Sequence, residues 1–287
     1  MDKLFNSPEE IIAANIKLSE KKAVLSTGKL ILLGIMAGVF IAFGGAASNT
    51  AVHGITDVGI ARTLAGVIFP VGLIMVVFLG AELFTGNCLM IMAVRDKKIS
   101  WKQMLRNLIL VYFSNLVGSL LIAVLVVFCG QLDYSNGLLG AYTIKVAVAK
   151  LSISPVQGIT SGILCNILVC IAILVATAAK DVSGKILGIF FPIFAFVVGG
   201  FEHCVANMYY IPVGILASWN PVYAKNAEEI YGVTAEQLEH LNMIESLHNF
   251  IPVTLGNVIG GMVFVGIPLF YIYIKWKMTP VSIDDKW

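Results

Sequence analysis

Long apolar runs alternate with short polar segments along this chain, and the runs set its architecture. A helix that crosses a bilayer needs about 20 mostly apolar residues. Six stretches reach that length, at roughly 30–50, 62–94, 105–130, 156–179, 186–216 and 250–274. The second and fifth are too long for one crossing and hold polar residues in their middles. In the second, Thr85-Gly86-Asn87 interrupts the run; in the fifth, Gly199-Gly200 precedes Phe201-Glu202-His203. Glycine permits backbone angles that a helix does not use, and Asn and Thr satisfy the backbone groups that a break releases. The pattern predicts that spans two and five are broken helices. Ahead of span one, Ser7-Pro8-Glu9-Glu10 reads as a helix start, with Ser as N-cap, Pro at the first position and acids in the first turn. Ile11, Ile12, Ala14, Ile16 and Leu18 follow. They suit either a helix lying in the membrane interface or one docked on the cytoplasmic face. The segment 218–249, with five glutamates, reads as a solvated outer loop containing a helix.

Lysine and arginine set the orientation. Fifteen of the 19 lie on one side of the six spans, before span one, after spans two and four, and after span six. The other side carries Arg62, Lys145, Lys150 and Lys225. Both termini are therefore expected in the cytoplasm. The expected organisation is an N-terminal amphipathic helix over 1–28, a six-helix unit over 29–275 and a short tail over 276–287.

The two halves repeat local patterns in the same order. Gly34-Ile-Met-Ala-Gly38 in span one matches Gly158-Ile-Thr-Ser-Gly162 in span four. Glu82 and Asn87 in span two match Glu202 and Asn207 in span five, and Asn115-Leu-Val-Gly118 matches Asn257-Val-Ile-Gly260. Repeats of about 29–130 and 156–275 hold three spans each. An odd number forces the halves to insert with opposite orientation, the inverted-repeat plan of transporters and channels, whose ligand path lies near the midplane where broken helices meet.

Composition narrows the class. The 287 residues are 58% hydrophobic and 13% charged, with mean hydropathy +0.89. Soluble domains carry about 45–50% apolar and about 25% charged residues. An ordinary soluble enzyme and a disordered chain are both excluded. A net charge of +2 gives no basis for nucleic-acid binding. The five cysteines lie in apolar stretches without a Cys-x-x-Cys pair and read as small buried hydrophobes.

The ionisable residues deep in the spans are Glu82, Glu202 and His203. An intramembrane charge costs about 2.5–3.5 kcal/mol on insertion scales, so each faces a cavity or a partner. Each Glu is expected to tie down the break in its own half by accepting hydrogen bonds from freed backbone N–H groups, with direct ligand contact as the other reading. His203 can change charge near neutral pH. Beside a break at mid-span, it suits proton exchange with a passing anion or attraction of one. Haem ligation would need a second intramembrane histidine, and His53, His240 and His248 lie outside the spans or near their ends. Lys150, just before span four, reads as a snorkelling interfacial lysine or as an outer anion attractor.

The strings Glu82-Leu-Phe-Thr-Gly-Asn87 and Gly200-Phe-Glu-His-Cys-Val-Ala-Asn-Met-Tyr-Tyr-Ile-Pro212 resemble the formate/nitrite transporter family. So do Gly162-Ile-Leu-Cys-Asn-Ile-Leu-Val169 and Ile251-Pro-Val-Thr-Leu-Gly-Asn-Val-Ile-Gly-Gly261. The resemblance covers about residues 5–275. It implies an all-α, aquaporin-like six-helix protomer in the inner (cytoplasmic) membrane, assembled as a homopentamer with one pore per protomer. It implies passage of small monovalent weak-acid anions, formate first, with hydrosulfide or nitrite as alternatives, and neither cofactor nor ATP. By matching motif, His203 is the pore histidine, Thr85 its hydrogen-bond partner and Lys150 the outer lysine. Glu202 and Asn207 belong to the broken fifth helix, Asn166 to the pore lining, and Glu82, Gly86 and Asn87 to the break of span two. Phe69, Leu73 and Phe196 are expected to form an outer apolar constriction, and Leu83, Phe84 and Val169 a cytoplasmic one. A charged anion is poorly solvated in such rings, whereas its neutral acid passes more easily. A water or glycerol channel would carry paired Asn-Pro-Ala breaks, and the nearest string, Asn220-Pro221-Val222, lies outside the spans.

Overall fold

The computed structural model describes residues 5–276. The helices in chain order are α1 (Pro8–Ala23), α2 (Thr27–Val52), α3 (Val58–Ile68), α4 (Val71–Phe78), α5 (Phe84–Asn87), α6 (Ile91–Arg95), α7 (Trp101–Phe128) and α8 (Tyr134–Leu151). They continue with α9 (Pro155–Ala178), α10 (Val182–Gly199), α11 (Cys204–Ser218), α12 (Pro221–Tyr231), α13 (Ala235–Glu239) and α14 (Leu247–Ile259). The last span runs on past α14 through two wider π-helical stretches, Gly260–Gly266 and Tyr271–Lys275. Six stretches are long and apolar enough to cross a membrane: Thr27–Val52, Val58–Phe78, Trp101–Phe128, Pro155–Ala178, Val182–Gly199 and Leu247–Lys275. Of the tail expected at 276–287, only Trp276 lies within the described residues.

Local sequence starts these helices. Ser7 with Glu10, Ser100 with Gln103 and Ser154 with Gln157 each form a reciprocal capping box, satisfying two orphan donors per helix start. The expected interruptions fall partly elsewhere than the sequence suggests. In the first half the chain leaves helical form at Leu79–Leu83, after α4, and Thr85-Gly86-Asn87 lie inside the restarting helix α5. The stop is Gly80, whose φ of +66° ends a helix at little cost. Gly86 is helical instead and packs against the Ile173 side chain. In the second half Gly200, at φ +68°, closes α10, and α11 restarts at Cys204.

Two asparagines hold the breaks with one hydrogen-bond pattern used twice. Asn115 of α7 donates to the carbonyls of Gly34 (2.7 Å) and Glu82 (2.9 Å) and accepts from the N–H of Phe84 (3.0 Å). Asn257 of α14 donates to the carbonyls of Gly162 (2.8 Å) and Glu202 (3.0 Å) and accepts from the N–H of Cys204 (2.9 Å). These bonds correct the register read from sequence. Gly34 corresponds to Gly162, not Gly158, one helical turn away, because a Gly-x-x-x-Gly string looks alike when slipped by four residues. Close packing keeps the pattern. A Cβ on Gly118 would meet the Ile35 carbonyl, and one on Gly260 the Ile163 carbonyl. The correspondence also reaches back beyond the spans. Lys22 and Lys150 each stand four residues before an N-cap serine (Ser26, Ser154), so α1 and the end of α8 occupy equivalent places.

The segment 218–249 is more ordered than a solvated loop. Its helix α12 packs Tyr223 against Gly140 and Gly137 of α8, and the Tyr223 hydroxyl donates to Asp133 at 2.5 Å. Four of the cysteines are buried as expected, but Cys129 is exposed at the end of α7.

Candidate functional site

The buried glutamates are held differently from the sequence expectation. At the breaks the Phe84 and Cys204 N–H groups go to Asn115 and Asn257, the Glu82 N–H to the Leu33 carbonyl and the Glu202 N–H to the Ser161 hydroxyl, and none of these four goes to a carboxylate. Each carboxylate instead joins a lysine to a buried asparagine pair. In the first half Lys22 of α1 reaches Glu82 at 3.2 Å and the Asn87 amide oxygen at 2.7 Å. Asn87 donates to Glu82 and to Asn107, both at 2.7 Å. In the second half Lys150 reaches Glu202 at 2.6 Å, and Asn207 donates to Glu202 and Asn249, both at 2.7 Å. A paired and hydrogen-bonded carboxylate is the tolerated form of a buried charge. Lys22, Asn107 and Asn249 escaped the sequence reading. Their signal was present: the lysines stand twelve residues before Gly34 and Gly162, and Asn107 and Asn249 stand eight before Asn115 and Asn257.

The halves differ in two atoms: the Asn249 amide donates to the Lys150 carbonyl at 2.8 Å, whereas the equivalent nitrogen of Asn107 is buried without a partner among the described residues. Lys22 occupies the Asn87 amide oxygen, whereas the equivalent oxygen of Asn207 is buried and has no partner. Asn207 is among the residues around the outer cavity, but the oxygen itself is shielded from it.

His203 is the N-cap of α11. Its Nδ1 accepts from the Ala206 N–H at 3.2 Å, and its Nε2 lies 2.8 Å from the Thr85 hydroxyl. An Nδ1 that accepts leaves the ring proton on Nε2, so the neutral ring donates to Thr85. An imidazolium would instead present an Nδ1–H to the Ala206 N–H, donor against donor. The Thr85 carbonyl accepts from Asn166 at 3.2 Å, and Asn166 also donates to the Asn257 carbonyl at 2.6 Å. Thr85, Asn166 and His203 are thereby fixed into one buried unit.

Above His203 a cavity of about 480 Å³ opens, lined among others by Lys150, Glu202, Asn207, Tyr210, Arg62 and Lys145. Phe69 and Phe196 line it together with His203 and pack edge to face with ring centroids 5.5 Å apart, and the Phe196 ring lies 6.0 Å from that of His203. Leu73, named with them from the sequence, is buried but does not line this cavity. Leu83, Phe84 and Val169 are all buried below, outside the cavity, and the Phe84 ring packs edge-on against Tyr112 at 4.9 Å. Among the described residues no group of three or more His, Cys, Asp or Glu could hold a metal ion.

Six apolar spans with lysine–glutamate pairs and a histidine–threonine contact at the breaks define a multi-pass membrane protein of the transporter and channel class. The family described as Formate/nitrite transporter matches residues 9–271. The chain belongs to that family. It is 38% identical to the "Probable formate transporter" of Methanothermobacter thermautotrophicus, across 96% of this chain and 100% of that protein. It is 34% identical to "Formate channel FocA" of Escherichia coli (strain K12), across 92% and 94%. Among solved structures it is similar to a "Pentameric formate channel with formate bound", with TM-score 0.75, 34% identity and coverage of 86% of this chain and 97% of that one. An "FNT family ion channel" gives TM-score 0.77 at 28% identity, covering 94% and 99%.

Proposed function

We propose that the chain forms a pore for small monovalent anions of weak acids, with formate as its first substrate and hydrosulfide or nitrite as alternatives of the same chemistry. The observation that carries this reading is the Thr85–His203 contact, set directly under a cavity that holds the Lys150–Glu202 pair. Lys150 draws the anion into the cavity. The Phe69–Phe196 layer excludes charge but admits a neutral acid. The His203 Nε2–H donates to Thr85, whose hydroxyl donates to the passenger, and a proton given up by the passenger is taken at Nδ1 as the Ala206 N–H lets go of the ring. Leu83, Phe84 and Val169 form the cytoplasmic seal, and the Lys22–Glu82 pair is the entry attractor on that side. The six spans act as one channel unit in the cytoplasmic membrane with both termini inside. As in the solved pentameric relative, five copies assemble, each with its own path.

The test is flux into proteoliposomes, comparing formate, hydrosulfide, nitrite, chloride and glycerol, wild type beside His203→Ala. Weak acids entering at least tenfold faster than chloride and glycerol, with the pH dependence altered in the variant, is the expected result. Glycerol alone moving, or no weak acid exceeding empty liposomes, overturns the reading.

A further inference from the structure

A second recess lies away from the pore, on the face that carries α1. It has a volume of about 700 Å³ and sits between the turn after α6, the start of α7 and the end of the last span. Among the described residues Arg95, Lys97, Lys98 and Lys275 line it, and no Asp or Glu does. Among the described residues none of these four cations forms an ion pair. The site is built rather than incidental. The turn is closed by backbone bonds from Lys97 to Val94 (3.1 Å) and from Lys98 to Ala93 (2.9 Å). Tyr271 accepts from the Arg95 guanidinium, which lies 5.3 Å over the same ring.

An excess of lysine and arginine on one side of a membrane protein follows from insertion alone. Their convergence on one acid-free recess does not. From the rim of that recess an apolar track leads into the membrane depth. Trp101, Leu105, Ile109, Phe113, Val117 and Leu121 are all exposed, at every fourth position of α7. Twenty residues of helix carry the track about 30 Å, the thickness of the hydrocarbon core. Exposed Trp101 and Trp276 flank the recess, where indole rings mark the membrane–water boundary.

We propose that this recess seats the phosphate headgroup of an anionic phospholipid, with an acyl chain lying along the α7 track. A lone phosphate satisfies the cations but leaves the track bare. A zwitterionic lipid fills the track but brings its own cation into a recess without acids. A second copy of this chain would need an acidic apolar surface to match. Phosphatidylglycerol and cardiolipin carry both required parts.

The test uses the purified full chain in detergent, read by native mass spectrometry after addition of phosphatidylglycerol or phosphatidylcholine. Its thermal midpoint is followed in parallel with those lipids or with inorganic phosphate. Each cation near an anionic headgroup strengthens binding about fivefold. Phosphatidylglycerol is expected to stay bound, and Arg95→Gln/Lys98→Gln to weaken it about 25-fold with the fold intact by circular dichroism. Lys275→Gln alone should weaken it about fivefold, and Lys17→Gln/Lys21→Gln, which removes charge from the same face outside the recess, should leave it unchanged. Equal retention of phosphatidylcholine, equal loss in the Lys17/Lys21 variant, a midpoint shift from phosphate alone, or loss of the oligomer rather than of lipid in the Arg95/Lys98 variant each overturn the proposal. All of these readouts are independent of formate flux.

Discussion

Asn115→Ala and Asn257→Ala should destabilise the protein by the same amount. Each side chain is fully buried and makes three hydrogen bonds across a break. One of the three partners, the carbonyl of Gly34 or Gly162, keeps its own helical bond when the asparagine is lost. The other two, one carbonyl and one N–H at the break, lose a partner that water cannot replace. A buried backbone group left unsatisfied costs about 1–3 kcal/mol, so each variant should lose about 2–6 kcal/mol. At about 2–4 °C per kcal/mol for a chain of this size, the midpoint falls on the order of 5–20 °C. Tryptophan fluorescence on heating in detergent reads the shift, and size exclusion checks the oligomer. A loss below about 1 kcal/mol in either variant would refute the role given to these asparagines. A loss several times larger in one half than in the other would refute the equivalence of the two sets of bonds.

Thr85→Val removes the acceptor of the buried His203 Nε2–H while keeping the shape; formate flux should fall about fivefold, the worth of one hydrogen bond, and stability by about 1–3 kcal/mol. Lys150→Met strands the Glu202 carboxylate and should cost about 3 kcal/mol, most of it recovered in Lys150→Met/Glu202→Gln; a double variant no more stable than the single one, on thermal melting, would show that the pair's charge is not what matters. The Tyr223 phenol is pushed up from 10.0 to about 12, first by burial and then by its bond to Asp133. A raised folded value favours the neutral form, so its stabilisation is full below pH 10 and is lost as pH rises towards 12. Thermal midpoints from pH 8 to 11.5 should therefore drop more steeply in wild type than in Tyr223→Phe.

Six spans could be read from the chain because long apolar runs have few alternatives. The positions of the breaks were less legible. Thr85-Gly86-Asn87 carries the composition of a break, yet Gly80 makes the turn, since one residue at positive φ suffices and its polar neighbours then serve as helix. The glutamates were legible as buried charges but not as partners of Lys22 and Lys150. That pairing depends on helices brought together only in the fold, 60 and 52 residues apart in sequence. His203 was legible as an ionisable residue at mid-span and Thr85 as part of a polar interruption, but their pairing came from resemblance, because the 2.8 Å contact joins residues 118 apart, a separation at which local pattern is silent.

The offsets that superimpose the two sets of hydrogen bonds also place Leu83 opposite His203, Val205 opposite Thr85 and Gly38 opposite Asn166. All the fastening positions are duplicated: the lysines, the glutamates, the paired asparagines and the left-handed glycines. The three polar positions that meet at the centre each face an apolar or vanishing counterpart. On the proposed function, a protomer would thus hold one histidine–threonine centre instead of two in series, and a passenger would meet a single such step per crossing. The duplicated bonds use none of the side chains at 83, 85 and 205, whereas Gly38 abuts the Asn115 backbone, Asn166 bonds the Asn257 carbonyl and His203 caps α11. In the proposed pore, selectivity can be rewritten at 83, 85 and 205 without touching those bonds, and a histidine introduced at Leu83 would set a second titratable ring at the place equivalent to the first.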